Sequence, residues 1–139
     1  MTQYVWQIGC KMNGLILETS LKISWALLAL LHIMPAMTAF VPGLIERLYG
    51  ISSDGDLGVM LLHRGALFLA VFVTTIYAIF DSGSRKLASI ILLIIIVGFL
   101  IIYVRNGMPS GGLRKIALAD LIFLPPLIWV CFNAWRPLT

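Results

Sequence analysis

Apolar residues form four long runs along this chain of 139 residues, and short polar segments separate them. The apolar runs lie at about 23–41, 59–80, 87–104 and 116–135. A helix of about 20 apolar residues, rising 1.5 Å per residue, crosses the ~30 Å hydrocarbon core of a bilayer. The pattern therefore predicts an all-α integral membrane protein. The short connections predict a four-transmembrane-helix up-down bundle with both termini on one side.

The composition agrees with a membrane protein. Hydrophobic residues make up 60% of the chain and charged residues 12%, with a mean hydropathy of +1.01, whereas a soluble domain carries roughly 25% charged residues. The net charge of +4 comes from basic residues scattered singly or in pairs beside the apolar runs, as is typical of helix ends at lipid headgroups. We therefore expect membrane lipids as neighbours and no nucleic-acid partner. The basic residues are divided too evenly between the loops to predict the membrane orientation.

Residues 1–22 differ from the rest of the chain because polar and charged residues interrupt their apolar positions. With Tyr4 and Trp6, they predict a lead-in that is either a short interfacial helix or disordered. The four-helix transmembrane domain follows at 23–139. The lead-in has no uninterrupted apolar core and no small-residue cleavage site. We therefore expect no cleavable signal peptide and a first apolar run that is retained as an anchor.

Two local patterns refine the helix prediction. Residues 44–49 predict an amphipathic helical turn at the membrane surface. Pro125 and Pro126 interrupt the fourth apolar run, and two consecutive prolines remove two backbone donors. The fourth helix is therefore predicted to be kinked in its middle.

Ionisable side chains occur inside three of the four apolar runs and concentrate in one half of the predicted bundle. His63 and Arg64 lie four to five residues into the second run, and Asp120 lies about four residues into the fourth, about 6–8 Å below the same membrane surface. His32 lies deeper, near the middle of the first run. A lone charge costs about 2.5–3.5 kcal/mol at the centre of a membrane helix and less near the surface. We therefore predict that Arg64 and Asp120 pair, with His63 or His32 within hydrogen-bond reach.

This polar cluster has two interpretations. It is either a functional site or a structural salt bridge that joins the second helix to the fourth. If both charges line a hydrated cavity without touching, the first interpretation survives and the second fails. Charged loop residues surround the same mouth, so the predicted ligand-binding cluster comprises His32, Glu46, Arg47, His63, Arg64, Arg114 and Asp120.

No metal site is expected. The two cysteines have neither metal-ligand spacing nor the pattern of a disulfide framework. Asp54 and Asp56 lack the twelve-residue calcium-loop frame with its terminal glutamate, so we interpret them as helix-capping residues. A bis-histidine haem needs both rings within a few ångström of one iron. His32 and His63 lie at different depths and fit haem poorly, and the cofactor remains unassigned.

Four segments together resemble a family of short bacterial four-helix membrane proteins of unknown function, and more distantly DoxX-like membrane proteins. The segments are LHIMP at 31–35, ERLYGI at 46–51, LHRGALF at 62–68 and LADL at 118–121, in an order that covers roughly 24–135. The resemblance implies a multi-pass protein of the bacterial inner membrane and implies no activity. Members often carry the label phosphopantetheine adenylyltransferase. Such a nucleotidyltransferase needs a soluble α/β fold and a phosphate-binding histidine loop, and this chain offers neither.

The leading hypothesis is a non-enzymatic small membrane protein that binds a lipophilic or amphiphilic molecule, or a membrane partner, in the polar half of the bundle. One alternative is a lipid-modifying enzyme with His32 or His63 as general acid/base, because histidine titrates near neutral pH. Another is a small proton-coupled transporter subunit. Since the chain has no internal repeat, it would have to oligomerise to form a pore, so a homo-oligomer or a larger membrane complex remains open.

Overall fold

The computed structural model describes the backbone of residues 2–136 and the side chains of residues 12–136. Over these residues the protein contains helices and turns and no strand. Three helices are long and apolar enough to cross a membrane, and a further pair, bent by 44°, meets the same criteria as one broken span. The protein is therefore a helical multi-pass membrane protein. Its helices are α1 (Thr2–Met37), α2 (Gly43–Tyr49), α3 (Gly55–Phe80), α4 (Arg85–Arg105), α5 (Gly112–Ile122) and α6 (Leu124–Ala134).

The first helix is longer than the apolar run that predicts it. It extends back through the predicted lead-in, and its candidate membrane span covers Met12–Met37. Glu18, the acidic residue that interrupts the apolar pattern in this part, forms an ion pair with Arg85 of α4. The lead-in is thus continuous with the first span, and residue 22 is not a helix boundary. The side chains of Tyr4 and Trp6, on which interfacial anchoring would rest, lie outside the described residues.

The connection between α1 and α3 contains the predicted amphipathic turn. This turn is α2, which buries Ile45 completely and exposes Glu46 and Arg47. Gly50 ends the helix with a φ of 68°, a left-handed conformation that glycine adopts readily. α2 packs against α3 and α5, so the short helix bridges the second and the last apolar segments.

The loop before α3 uses its acidic residues differently from the prediction. Asp54 occupies the N-cap position, but its side chain makes no cap hydrogen bond to the helix. Instead its carboxylate accepts a hydrogen bond of 2.8 Å from the hydroxyl of Ser52. Asp56 lies in the first turn of α3, where a negative charge interacts favourably with the helix dipole.

The predicted kink in the last apolar run is confirmed. α5 and α6 meet at Phe123, which belongs to neither helix, with a bend of 44°. Pro125 and Pro126 lie in the first turn of α6. Backbone N–H groups at this position have no intrahelical acceptor, so prolines cost no helical hydrogen bond within α6. The chain therefore breaks just before the prolines rather than between them.

If the bent pair α5–α6 is counted as one, each long helix packs against two others. α1 lies against α3 and α6, while α4 lies against α3, α5 and α6. α3 and α5 thus flank α4 instead of packing on each other. The apolar core is centred on Trp25, Leu28, Leu92, Ile96 and Leu127, all at most 2% exposed. The ionisable residues His32, Arg64 and Asp120 do not belong to this core.

Candidate ligand-binding cavity

A cavity of about 390 Å³ lies among α1, α2, α3, α4 and α5. Ligand pockets in proteins have volumes of about 300–1,000 Å³ and mostly apolar walls with a few polar groups. Here aliphatic and aromatic side chains from all five helices form most of the wall. The polar side chains that line it are His32 from α1, Arg47 and Tyr49 from α2, Arg64 from α3, and Lys115 and Asp120 from α5.

Arg64 is surrounded by aromatic rings. Its guanidinium carbon lies 5.3 Å from the ring centre of Phe68 and 5.8 Å from the ring centres of both Tyr49 and Phe99. A cation over an aromatic face gains about 0.5–2 kcal/mol, more when water is excluded. The three rings come from α2, α3 and α4, and together they offset part of the cost of placing this charge among apolar helices.

Asp120 lines the same cavity from α5 and is buried, with 8% of its surface exposed. No side chain among residues 12–136 pairs with it, since the one ion pair formed within 4.0 Å by these residues joins Glu18 and Arg85. The predicted salt bridge between Arg64 and Asp120 is therefore wrong. Both charges face the cavity without touching.

The packing of the helices explains why the salt bridge does not form. Arg64 and Asp120 lie at similar depths, but equal depth produces contact only when two helices are neighbours. α3 packs on α1, α2 and α4, whereas α5 packs on α2, α4 and α6. The cavity occupies the space between α3 and α5, and each charge lines it from its own side.

His32 is buried at 2% exposure and also lines the cavity. Its Nδ1 lies 2.7 Å from the carbonyl oxygen of Leu28. Because a carbonyl oxygen only accepts hydrogen bonds, Nδ1 carries the hydrogen and Nε2 is the acceptor nitrogen of the neutral ring. The imidazole centre lies 5.8 Å from that of Phe68, so Phe68 contacts His32 and the guanidinium of Arg64 at once.

Three residues of the predicted cluster lie outside the cavity. His63 is exposed and does not line it, whereas its neighbour Arg64 does. The two histidines therefore do not share one site. Glu46 is exposed on α2. Arg114 lines a separate groove of about 500 Å³ between α4 and α5, together with Tyr103.

Tyr49 lines the cavity but does not belong to the predicted cluster. It ends α2 and lies outside the membrane-spanning segments. Burial raises the pKa of its hydroxyl above the ordinary value, while the positive charge of Arg64 lowers it by less. The phenol is therefore protonated at neutral pH and can donate a hydrogen bond into the cavity. A signal was present in the sequence, since a tyrosine that ends an amphipathic turn beside Arg47 lies near the predicted mouth.

The close approach of α5 to α2 fixes this part of the wall. A side-chain carbon at Gly112 would overlap the carbonyl oxygen of Leu48 and lie 3.2 Å from the Cα of Tyr49. Glycine at the beginning of α5 therefore lets the two helices meet, and each contributes one cation to the cavity wall, Arg47 from α2 and Lys115 from α5.

The polar groups of the cavity can bind a ligand through charge and hydrogen bonds. Within the described residues, no group of three histidine, cysteine or acidic side chains is placed to hold a metal ion. Comparison with protein-family models, curated proteins and solved structures finds no match to the chain.

Proposed function

We propose that this protein binds a lipophilic or amphiphilic molecule in the cavity among its helices. The observation that carries the proposal is that Arg64 and Asp120 face one cavity without pairing. Two charges held apart among apolar helices cost free energy unless water or a ligand solvates them. The cavity walls are otherwise apolar and the lining helices include three candidate membrane spans, so a molecule with both polar and apolar parts fits the site.

Native mass spectrometry of the detergent-solubilised protein tests this proposal. The wild type is expected to retain a small molecule from the membrane. Ala119 lines the cavity. The Ala119→Phe variant should lose that molecule, because the added ring fills the space without changing any charge. Ala66→Phe is the matched control, since Ala66 is exposed on α3 and lies outside the cavity. Equal retention by both variants, or no retained molecule in the wild type, would contradict the proposal.

We propose further that α1, α3, α4 and the bent pair α5–α6 are four spans of an up-down bundle in a bacterial inner membrane. The supporting observations are the lengths and composition of the helices and the family resemblance described above. Cysteines introduced at Ser110 and Arg136, before and after the bent pair, should react with an impermeant maleimide from opposite sides of the membrane. Reaction from one side would show that α5–α6 enters and leaves the same surface.

A lipid-modifying enzyme is the second candidate, because the bond from His32 to Leu28 leaves Nε2 as an acceptor in a ring that lines the cavity. Incubation with membrane lipids followed by mass spectrometry tests it. An enzyme would convert a lipid in the wild type and lose the conversion in His32→Gln while still retaining the lipid. Unchanged lipid masses after incubation with the wild type would leave binding as the function.

A further inference from the structure

The exposed residues of the cavity wall indicate that the cavity opens sideways, between α1 and α5. Leu30 and Met34 on α1 line it and are 60% and 49% exposed. Across the gap, Ile116 on α5 lines the cavity and is half-buried. Because Leu30 and Met34 belong to the candidate span Met12–Met37, the opening faces the apolar part of the bilayer.

The bend between α5 and α6 accounts for this opening. α6 packs against α1, whereas α5 is held by α2, α4 and α6. The bend of 44° at Phe123 separates the two segments, and α5 does not follow α6 along α1. Phe123 itself lines the cavity. The gap is therefore a product of the helix break, and the apolar wall of α1 is left uncovered beside it.

The rim of the cavity is positively charged. Arg47 and Lys115 line it and are exposed, whereas Arg64 lies deeper, among three aromatic rings. Asp120 is the one acidic residue among the lining side chains and faces Arg64, so it offsets the charge of that residue. Arg47 and Lys115 remain as cations without an acidic partner among the lining residues.

We infer that the ligand is an acidic amphiphile with a carboxylate or phosphate headgroup, and that it reaches the cavity from the bilayer through the gap between α1 and α5. The headgroup lies between Arg47 and Lys115, because charge-assisted hydrogen bonds to carboxylate and phosphate are the strongest that such side chains form. Its apolar chain follows Leu30 and Met34 towards the middle of the membrane. This inference rests on the proposed function and adds the charge of the ligand and its route.

Retention of defined probes by the protein in phosphatidylcholine nanodiscs, measured by native mass spectrometry, tests the charge. The probes are hexadecanoate, hexadecyl phosphate and the neutral methyl hexadecanoate. The wild type should retain the two acids at least about tenfold better than the ester, since one charge-assisted contact corresponds to about a tenfold change or more. Preference between the two acids identifies the headgroup as carboxylate or phosphate.

Substitution of the rim residues tests the assignment. Arg47→Gln and Lys115→Gln should each weaken retention of the acids by about tenfold and leave retention of the ester unchanged. Arg114→Gln is the matched control, because Arg114 is exposed next to Lys115 but lines the other groove. Equal effects of Lys115→Gln and Arg114→Gln would overturn the assignment.

The route is tested by uptake rates. Met34→Trp places a larger side chain in the gap and should slow uptake of hexadecanoate several-fold, while Leu27→Trp, at an exposed position of α1 that does not line the cavity, should not. Equal rates would overturn lateral access. Competition by acetate or inorganic phosphate at the probe concentration would show that the headgroup alone is the ligand and would also overturn the inference.

The same measurements separate this inference from the proposed function. If the ester is retained as well as the acids and is lost in Ala119→Phe, the cavity binds amphiphiles but does not select for charge. The proposed function then stands and the inference fails. If no probe is retained by the wild type, both fail.

Discussion

The guanidinium of Arg85 meets the carboxylate of Glu18 with two hydrogen bonds, of 3.0 Å from Nη1 and 2.6 Å from Nη2. Its Nε also donates to the carbonyl oxygen of Ala78 at 3.0 Å, and Nη2 lies 3.4 Å from that of Ile79. These carbonyls belong to the last turn of α3, where helical donors are absent. Arg85 of α4 therefore ties α1 to the end of α3, away from the cavity.

Replacing Arg85 by methionine should destabilise the protein substantially. The change leaves the carboxylate of Glu18 and two carbonyl oxygens without their donor. Removing one partner of a buried ion pair costs about 3–5 kcal/mol. Because the Glu18 side chain is 44% exposed and solvent screens its charge, we expect the lower end, a loss of about 3 kcal/mol in the free energy of unfolding. Reversible unfolding in mixed detergent micelles measures it.

Arg105→Met supplies the control for that experiment. Arg105 is exposed at the opposite end of α4, and exposed substitutions usually change stability by less than about 0.5 kcal/mol. Glu18→Gln should fall between the two variants, because glutamine keeps an oxygen that accepts one hydrogen bond. Similar losses for Arg85→Met and Arg105→Met would mean that the ion pair contributes nothing specific.

Arg64 should be coupled to Phe68 through direct contact, and to Asp120 only through the interaction of two charges that do not touch. Its guanidinium lies over the ring of Phe68 and forms no ion pair with Asp120. Double-mutant cycles should give a coupling of about 0.5–1 kcal/mol for Arg64→Met with Phe68→Leu. For Arg64→Met with Asp120→Asn we expect a coupling of no more than about 1–2 kcal/mol, because the two opposite charges attract each other without forming an ion pair. A coupling of several kcal/mol in the second cycle would mean that Arg64 and Asp120 form a direct salt bridge.

Much of this site could be predicted from the sequence, because charges inside apolar runs are rare and costly. His32, Arg64 and Asp120 were selected on that ground, and the structure brings all three to one cavity. Their mutual contacts could not be predicted, since depth in the membrane says nothing of which helices are neighbours. Arg64 and Asp120 lie on helices that both flank α4, and this arrangement depends on packing of the whole chain.

Two features of the sequence bear on where the structure differs in detail from the prediction. His63 and Arg64 are consecutive, and adjacent residues of a helix point about 100° apart, so a cavity that Arg64 lines need not include His63. Glu18 is an acidic residue followed by a long apolar run. Because residues 1–22 are predicted as a lead-in, its ion pair with Arg85 is not among the predictions. A single charge within a largely apolar helix favours a basic partner elsewhere in the chain, and Arg85 begins the third apolar segment.

Gly65 allows α3 to approach the end of α1, and Gly65→Ala should separate them. A Cβ at this position would overlap the hydroxyl of Thr38 and lie 2.7 Å from the backbone nitrogen of Ala39, a contact that a rigid backbone cannot relieve. Overpacking typically costs about 1–3 kcal/mol, and we expect a loss of that size. Because Gly65 adjoins Arg64, ligand retention should fall as well.

Gly98→Ala is the matched control for Gly65→Ala. Gly98 lies within α4 and has no atom within 4 Å of the position that a Cβ would take. Alanine there should raise the free energy of unfolding by about 0.5–1 kcal/mol, because it reduces the freedom of the unfolded chain and favours helix. Opposite signs for the two substitutions are therefore expected in the same unfolding experiment. Destabilisation by Gly98→Ala would mean that α4 packs more tightly at this position.

The double substitution of Pro125 and Pro126 by alanine should straighten the last span and close the cavity. Alanine restores the backbone donors for two carbonyl oxygens of α5, so the two helices can join. Removing a bend of 44° from α5, which has 11 residues and is about 16 Å long, would move its far end by roughly 10 Å towards α1.

Spin labels at Met37 and Leu113, both exposed, report this shift by double electron–electron resonance in a chain whose native cysteines are replaced. The distance should shorten and hexadecanoate retention should fall, whereas Pro109→Ala, in the loop before α5, should change neither. An unchanged distance in the double variant would show that packing of α5 on α2 and α4, and not the prolines, keeps the cavity open.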